Sequence, residues 1–142
     1  ELKAKNIMTA KPITVKPTDT VEQAALVMLD NKVGGLPVVD DAGKLVGIIS
    51  DHDVFKAMVD ITGARLGGLQ FAVELPDQPG TARPLFDLLR AHNARILSVL
   101  TVSNPDGNRH MFVRVRDLEN AQSEQELIAG VNKLGKVLYC QH

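Results

Sequence analysis

Three glycines in six residues, Gly63-Ala-Arg-Leu-Gly67-Gly68, break the chain into two short stretches. Neither is long enough to bury a large core alone. Charge usage changes across the same connector. Residues 1–62 carry seven Lys, no Arg and nine acids (7 − 9 = −2), and residues 63–142 carry seven Arg, two Lys and eight acids (9 − 8 = +1). We therefore expect a domain at 1–62, a linker at 63–68 and a second domain at 69–142. Domains this small are marginal alone, which predicts self-association. With 44% apolar and 23% charged residues, the chain composition excludes wholesale disorder. No apolar run reaches the roughly 18 residues of a membrane span, and no apolar core follows the first lysines as in a secretory signal. The single cysteine, Cys140, permits no internal disulfide, so a cytoplasmic location is expected. A net charge of −1 argues against a basic nucleic-acid platform. The chain starts at Glu1 rather than Met, which suggests a fragment or a processed form.

The first stretch reads β-α-β-β-α. Pro12-Ile-Thr-Val-Lys-Pro17 is a β-rich run bounded by prolines, and Val21, Ala24, Ala25, Met28 and Leu29 form one helical stripe. Thr20 with Gln23, or Asp19 with Glu22, closes a capping box at that helix start. Leu36–Val39 and Leu45–Ile49 flank a turn containing Gly43, as in a hairpin. Ser50 and Asp53 repeat the capping-box pattern ahead of Val54, Phe55, Met58 and Ile61.

The second stretch reads β-α-β-β-α-β. Leu69–Leu75 is a strand ending in Pro76-Asp-Gln-Pro-Gly80, and Leu85, Phe86, Leu88 and Leu89 mark a helix with Pro84 in its first turn. Ile96–Val102 is a strand followed by the turn Asn104-Pro-Asp-Gly-Asn108. In the next strand Met111, Val113 and Val115 take one face, and Phe112, Arg114 and Arg116 the other. Leu127, Ile128, Val131 and Leu134 mark a helix ended by Gly135, and Val137–Cys140 closes as a strand. The fold class is α/β (α+β), with the order of a ferredoxin-like split βαβ sandwich in the second stretch.

Asn6-Ile-Met-Thr9, Pro12-Ile-Thr-Val15, Gly34-Gly-Leu-Pro-Val-Val-Asp40 and Gly43-Lys-Leu-Val-Gly-Ile-Ile-Ser-Asp-His-Asp53 resemble a CBS motif, a unit that commonly occurs in pairs and senses adenine nucleotides. Asp77-Gln-Pro-Gly80, with the element order around it, resembles an ACT domain, a small-ligand regulatory unit that usually binds amino acids. The tandem is similar to bacterial acetoin-utilisation-like CBS–ACT proteins. The CBS resemblance implies that Ser50 and Asp53 contact a nucleotide, with His52 between them where many relatives carry Arg. A carboxylate can accept from both ribose hydroxyls, and helix-start N–H groups suit phosphate. Carried over likewise, Ile13, Thr14, Gly35, Leu36 and Pro37 line the adenine, and Thr9 reaches a phosphate. Ser50 and Asp53 also suit a plain helix cap. The ACT resemblance implies an effector held by Asp77 and the backbone of Gly80, with Ile96, Leu97 and Ser98 as the facing wall, from another chain if the domain pairs. Arg95 stands where amino-acid-binding relatives frequently carry Asn.

Remaining residues read as structural. Cys140 reads as a core residue, and Arg83, Arg90, Arg95, Arg109, Arg114 and Arg116 as solvated faces, with Arg114 and Arg116 the best anion candidates among them. His92, His110 and His142 lack metal-ligand spacing, and no catalytic motif is present. The expected function is a non-catalytic sensing module. Its ligands would be AMP, ADP, ATP or S-adenosylmethionine on one side and an amino acid on the other. It would act as a homodimer or beside a second CBS copy, on an unknown regulated protein. The alternative is a dimerisation module with vestigial sites.

Overall fold

The computed structural model describes residues 1–142. It is a mixed α/β chain that divides into two compact units, Glu1–Met58 and Val59–His142. That division falls inside a helix, four residues before the end of the expected first domain.

In the first unit a 3-10 turn at Ala4–Asn6 precedes α1 (Val21–Asn31), β1 (Gly35–Val39), β2 (Leu45–Ser50) and α2 (Asp51–Thr62), which continues into the second unit. Of the two capping boxes offered for α1, Thr20 with Gln23 closes: the Thr20 hydroxyl accepts from Gln23 N–H at 3.2 Å, and Gln23 Oε1 accepts from Thr20 N–H at 2.8 Å. The strand expected at 12–17 shrinks to one bridge. Val15 N–H donates to Pro37 O, and Val15 O accepts from Val39 N–H. Pro12 and Pro17 lack the N–H groups that would extend it. Strands β1 and β2 pair antiparallel, with Gly35 opposite Ser50. The small core is Val15, Ala24, Met28 and Leu36. Leu29, placed on the same stripe, is 75% exposed. Phe55, Met58 and Ile61 of α2 also face outward.

The second unit contains a 3-10 turn at Ala64–Leu66, then β3 (Leu69–Pro76), α3 (Arg83–Ala91), β4 (Arg95–Ser103), β5 (Asn108–Arg116), α4 (Ala121–Leu134) and β6 (Lys136–Gln141). The strands form one antiparallel sheet in the order β4-β5-β3-β6. One face packs on α3 and α4. Leu69, Phe71, Val73 and Leu75 of β3 and Met111, Val113 and Val115 of β5 meet Leu85, Leu89, Leu127 and Val131. The period-2 alternation of β3 and β5 makes this possible, since it puts every second side chain on the helix-covered face. Close approach to backbone requires glycine twice. A Cβ on Gly68 (φ +87°) would lie 2.3 Å from Val115 O, and one on Gly135 2.3 Å from Glu74 O.

Two expectations are corrected here. Arg114 is not a solvated or anion-binding side chain. It is 8% exposed, and donates to Thr62 O from Nε at 3.1 Å, to Gly67 O at 3.3 Å and to Gln70 Oε1 at 3.1 Å. Ser98 Oγ donates to the same Thr62 carbonyl at 2.9 Å, so the C-terminal carbonyl of α2 is held by a guanidinium and a hydroxyl. Arg116 remains more open, 3.4 Å from Asp117. Cys140 is exposed rather than in the core. Partial burial, and then the Glu124 carboxylate, push its thiol pKa up.

Candidate functional site

Strand β2 delivers the chain directly into α2, so the last strand residue, Ser50, is also the helix cap. Ser50 N–H and Ser50 Oγ both donate to Asp53 Oδ2, at 2.9 and 2.8 Å, and Asp53 N–H returns a bond to Ser50 Oγ at 3.3 Å. These Ser50 hydrogen bonds, backbone first and hydroxyl second, hold the Asp53 carboxyl below the ordinary carboxylate range. The second carboxylate oxygen lies 4.0 Å from Lys56 Nζ. With Asp51 beside it, the first turn of α2 already carries two anions against the positive end of the helix.

Across the hairpin, Gly35 opposite Ser50 is also part of the wall of a cavity of about 300 Å³. Thr9, Lys11, Pro12, Ile13, Val33, Leu36 and Pro37 complete that wall. Leu36 supplies a fully buried floor that belongs equally to the core, and the bridge from Val15 to β1 carries the 9–13 segment over it. The wall is mostly apolar, contains one hydroxyl and one ammonium, and has no carboxylate. A separate apolar groove of about 570 Å³ runs between α1 and α2, lined by Met28, Leu29, Val33, Val54 and Phe55 with Lys32 and Asp51 at its edge.

In the second unit, Asp77 follows β3 and sits 2.8 Å from an Arg109 nitrogen. The Ser103 hydroxyl first, and the Arg109 guanidinium after it, hold the Asp77 carboxyl below its usual range. Arg109 Nε is buried without a hydrogen-bond partner. Gly80 has φ +87° and open space where a Cβ would stand. Strand register separates this loop from the expected facing wall: Pro76 pairs with Asn108, whereas Ile96 pairs with Val115. At about 3.3 Å per residue the two ends of β5 are roughly 23 Å apart. Within one chain, Asp77 and Gly80 do not share a site with Ile96, Leu97 and Ser98. Ser98 is further committed to Thr62 O, and Arg95 pairs with Asp117 at 2.7 Å.

The family model of the CBS domain matches residues 4–60. The match is confined to this stretch, 57 of the 142 residues, which is therefore similar to CBS domains. A chloroplastic CBS domain-containing protein of Arabidopsis thaliana, CBSX1, is 32% identical over 91 residues, 64% of this chain and 38% of that protein. An uncharacterised protein of Methanocaldococcus jannaschii is 42% identical over 57 residues, 40% of this chain and 34% of that protein. The chain thus spans little more than a third of the length of these curated relatives. Among solved structures, the cytosolic domain of the Mg2+ channel MgtE in complex with ATP is 38% identical, covering 37% of this chain and 21% of that one, with a TM-score of 0.35. No helix of the chain is long and apolar enough to cross a membrane.

The CBS-like stretch gathers five of the nine expected ligand residues, Thr9, Ile13, Gly35, Leu36 and Pro37, around one cavity. Thr14, Ser50, His52 and Asp53 lie outside that lining, with Ser50 adjacent through its pairing to Gly35. Lys11, Pro12 and Val33 are lining residues that the motif comparison passed over. Lys11 and Pro12 sit between Thr9 and Ile13 in sequence, so the same loop that presents those two presents them as well. Val33 has no such signal, because it reaches the cavity only through the turn after α1.

Proposed function

We propose that the chain is a non-catalytic regulatory module whose CBS domain holds an adenine nucleotide and whose second unit is a ferredoxin-like ACT domain for a small effector. The observation that carries the first part is the convergence of Thr9, Ile13, Gly35, Leu36 and Pro37 on one concave, largely apolar surface. A planar base suits that surface, and the CBS domain family gives the ligand class. Support for the ACT reading comes from the β-α-β-β-α-β order, the sheet order β4-β5-β3-β6 and the Asp77–Gly80 loop after the first strand. Since Asp77 and Ile96 stand at opposite ends of the sheet, an amino-acid effector site on this plan needs two copies of the chain. Ligand binding then acts through linkage: each ligand favours one arrangement of the assembly and alters the other's affinity.

The test is calorimetric titration and thermal unfolding with AMP, ADP, ATP, S-adenosylmethionine and the amino acids. An adenine compound at about 100 times its dissociation constant is expected to stabilise by roughly 2.7 kcal/mol. Ile13→Glu, which puts a carboxylate at an exposed position of the cavity wall, should abolish that gain. A flat response to every adenine compound sinks the reading.

One set of observations favours a second reading, an association module with vestigial sites. Asp77 is already neutralised by Arg109, Ser98 is committed to Thr62, and the α1/α2 groove leaves Leu29 and Phe55 75% and 58% exposed. On that reading a homodimer, or pairing with a second CBS copy, covers the groove. Sedimentation would then give a stable dimer indifferent to every compound in the screen.

A further inference from the structure

We infer that Lys11 selects the phosphate-bearing class of adenine ligand and turns away S-adenosyl compounds; this rests on the nucleotide reading of the CBS cavity. Three observations converge on it. Lys11 is the sole charged residue in the cavity wall, and no carboxylate shares that wall. Its ammonium is engaged by no ion pair or side-chain hydrogen bond, whereas Lys16 lies 2.9 Å from Asp41 and Lys56 4.0 Å from Asp53.

The third observation concerns the opposite side. Gly35 joins the cavity to the β2–α2 junction, which is where a helix start would ordinarily offer positive charge to a phosphate. Here that charge is met from within by Asp51 and Asp53 in the first turn, and His52 stands between two carboxylates. A dianion placed against this turn meets like charge. The favourable position for phosphate is the Thr9–Lys11 side, where a hydroxyl donor and a mobile ammonium lie two residues apart on one loop. S-adenosylmethionine brings a sulfonium and an ammonium against one carboxylate, a net positive charge that Lys11 disfavours at the same wall. Adenosine is indifferent to it.

The experiment is titration of adenosine, AMP, ATP and S-adenosylmethionine into the full chain and into Lys11→Ala and Lys11→Arg, at two salt concentrations. In the unaltered chain AMP and ATP should bind more tightly than adenosine, and S-adenosylmethionine more weakly. Lys11→Ala should weaken AMP roughly tenfold, the order expected for loss of one charged hydrogen bond, while leaving adenosine unchanged. Lys11→Arg should retain AMP, and added salt should erode the AMP advantage only where the cation is present. Equal losses for adenosine and AMP in Lys11→Ala overturn the inference, as does AMP binding that ignores the substitution or S-adenosylmethionine that matches AMP. Adenosine binding separates the two levels. If adenosine and the nucleotides all fail to bind the unaltered chain, the nucleotide reading falls and the inference with it.

Discussion

The two units spend their apolar residues in opposite ways. In the second unit, β3 puts Leu69, Phe71, Val73 and Leu75 on the helix-covered face, all 3% exposed or less. In the first unit, β2 leaves Leu45, Val46 and Ile48 64%, 51% and 74% exposed, and α1 and α2 turn Leu29, Phe55 and Met58 outward. Sheet width explains the contrast. Four antiparallel strands give two helices a platform broad enough to close a core, whereas a two-stranded hairpin gives them an edge. The first unit therefore carries the concave cavity and an exposed apolar surface, and the second carries the larger buried core.

The largest expected effect tests that division of labour. Phe71→Ala should cost about 3–5 kcal/mol, the range for emptying a fully buried aromatic site. Leu29→Ala should change stability by no more than about 0.5 kcal/mol, as surface substitutions do. Urea unfolding of the two variants measures both. Comparable losses would break the comparison, because they would mean that the face carrying Leu29 is covered in solution by a second chain.

A smaller effect is expected at Arg114, the one charged residue among the buried set. Its donors satisfy the carbonyls of Thr62 and Gly67 and the amide oxygen of Gln70. Arg114→Leu keeps the apolar stem but removes all three donors, leaving the Thr62 carbonyl to Ser98 and the Gln70 oxygen to Gln141, a loss of about 1–3 kcal/mol. Lysine should restore only part of it, since one ammonium cannot serve three acceptors in the fork geometry of a guanidinium. Thermal unfolding gives the magnitude, and faster amide exchange confined to residues 63–68 would locate it. An Arg114→Leu variant as stable as the parent would return Arg114 to the solvated class that its strand alternation predicts.

Arg114 also marks the limit of what could be read from the chain. Alternation correctly assigns Met111, Val113 and Val115 to one face of β5 and puts Arg114 on the other. That face is closed over Arg114 by the end of α2 and the glycine connector, elements more than 40 residues upstream that no local pattern connects to it. The cavity shows the same boundary. Its loop residues Thr9 and Ile13 were legible as motif positions, and Lys11 stood in plain view between them. Only the bridge through Val15 shows that this segment crosses Leu36 and so makes Lys11 part of a wall. The cap at Ser50 was legible entirely, because both partners lie within one turn of helix.

That cap supplies the smallest effect and the sharpest contrast between the units. Ser50→Ala should cost about 1 kcal/mol, as loss of a helix cap does. The Asp53 carboxyl is held below its ordinary pKa by its bonds from Ser50, so its contribution is complete above the unfolded carboxylate range and is lost as pH falls through the lowered folded value. Asp77 follows the same sign in the second unit, through Ser103 and Arg109. Acid should therefore weaken both units, but by separable groups. Asp53→Asn keeps an accepting oxygen and cannot titrate, so it should flatten the acid limb followed by an α2 probe and leave that of the second unit unchanged. If Asp53→Asn instead flattened both limbs, the two units would be unfolding as one cooperative body. The stability that the larger buried core of the second unit supplies would then belong to the whole chain.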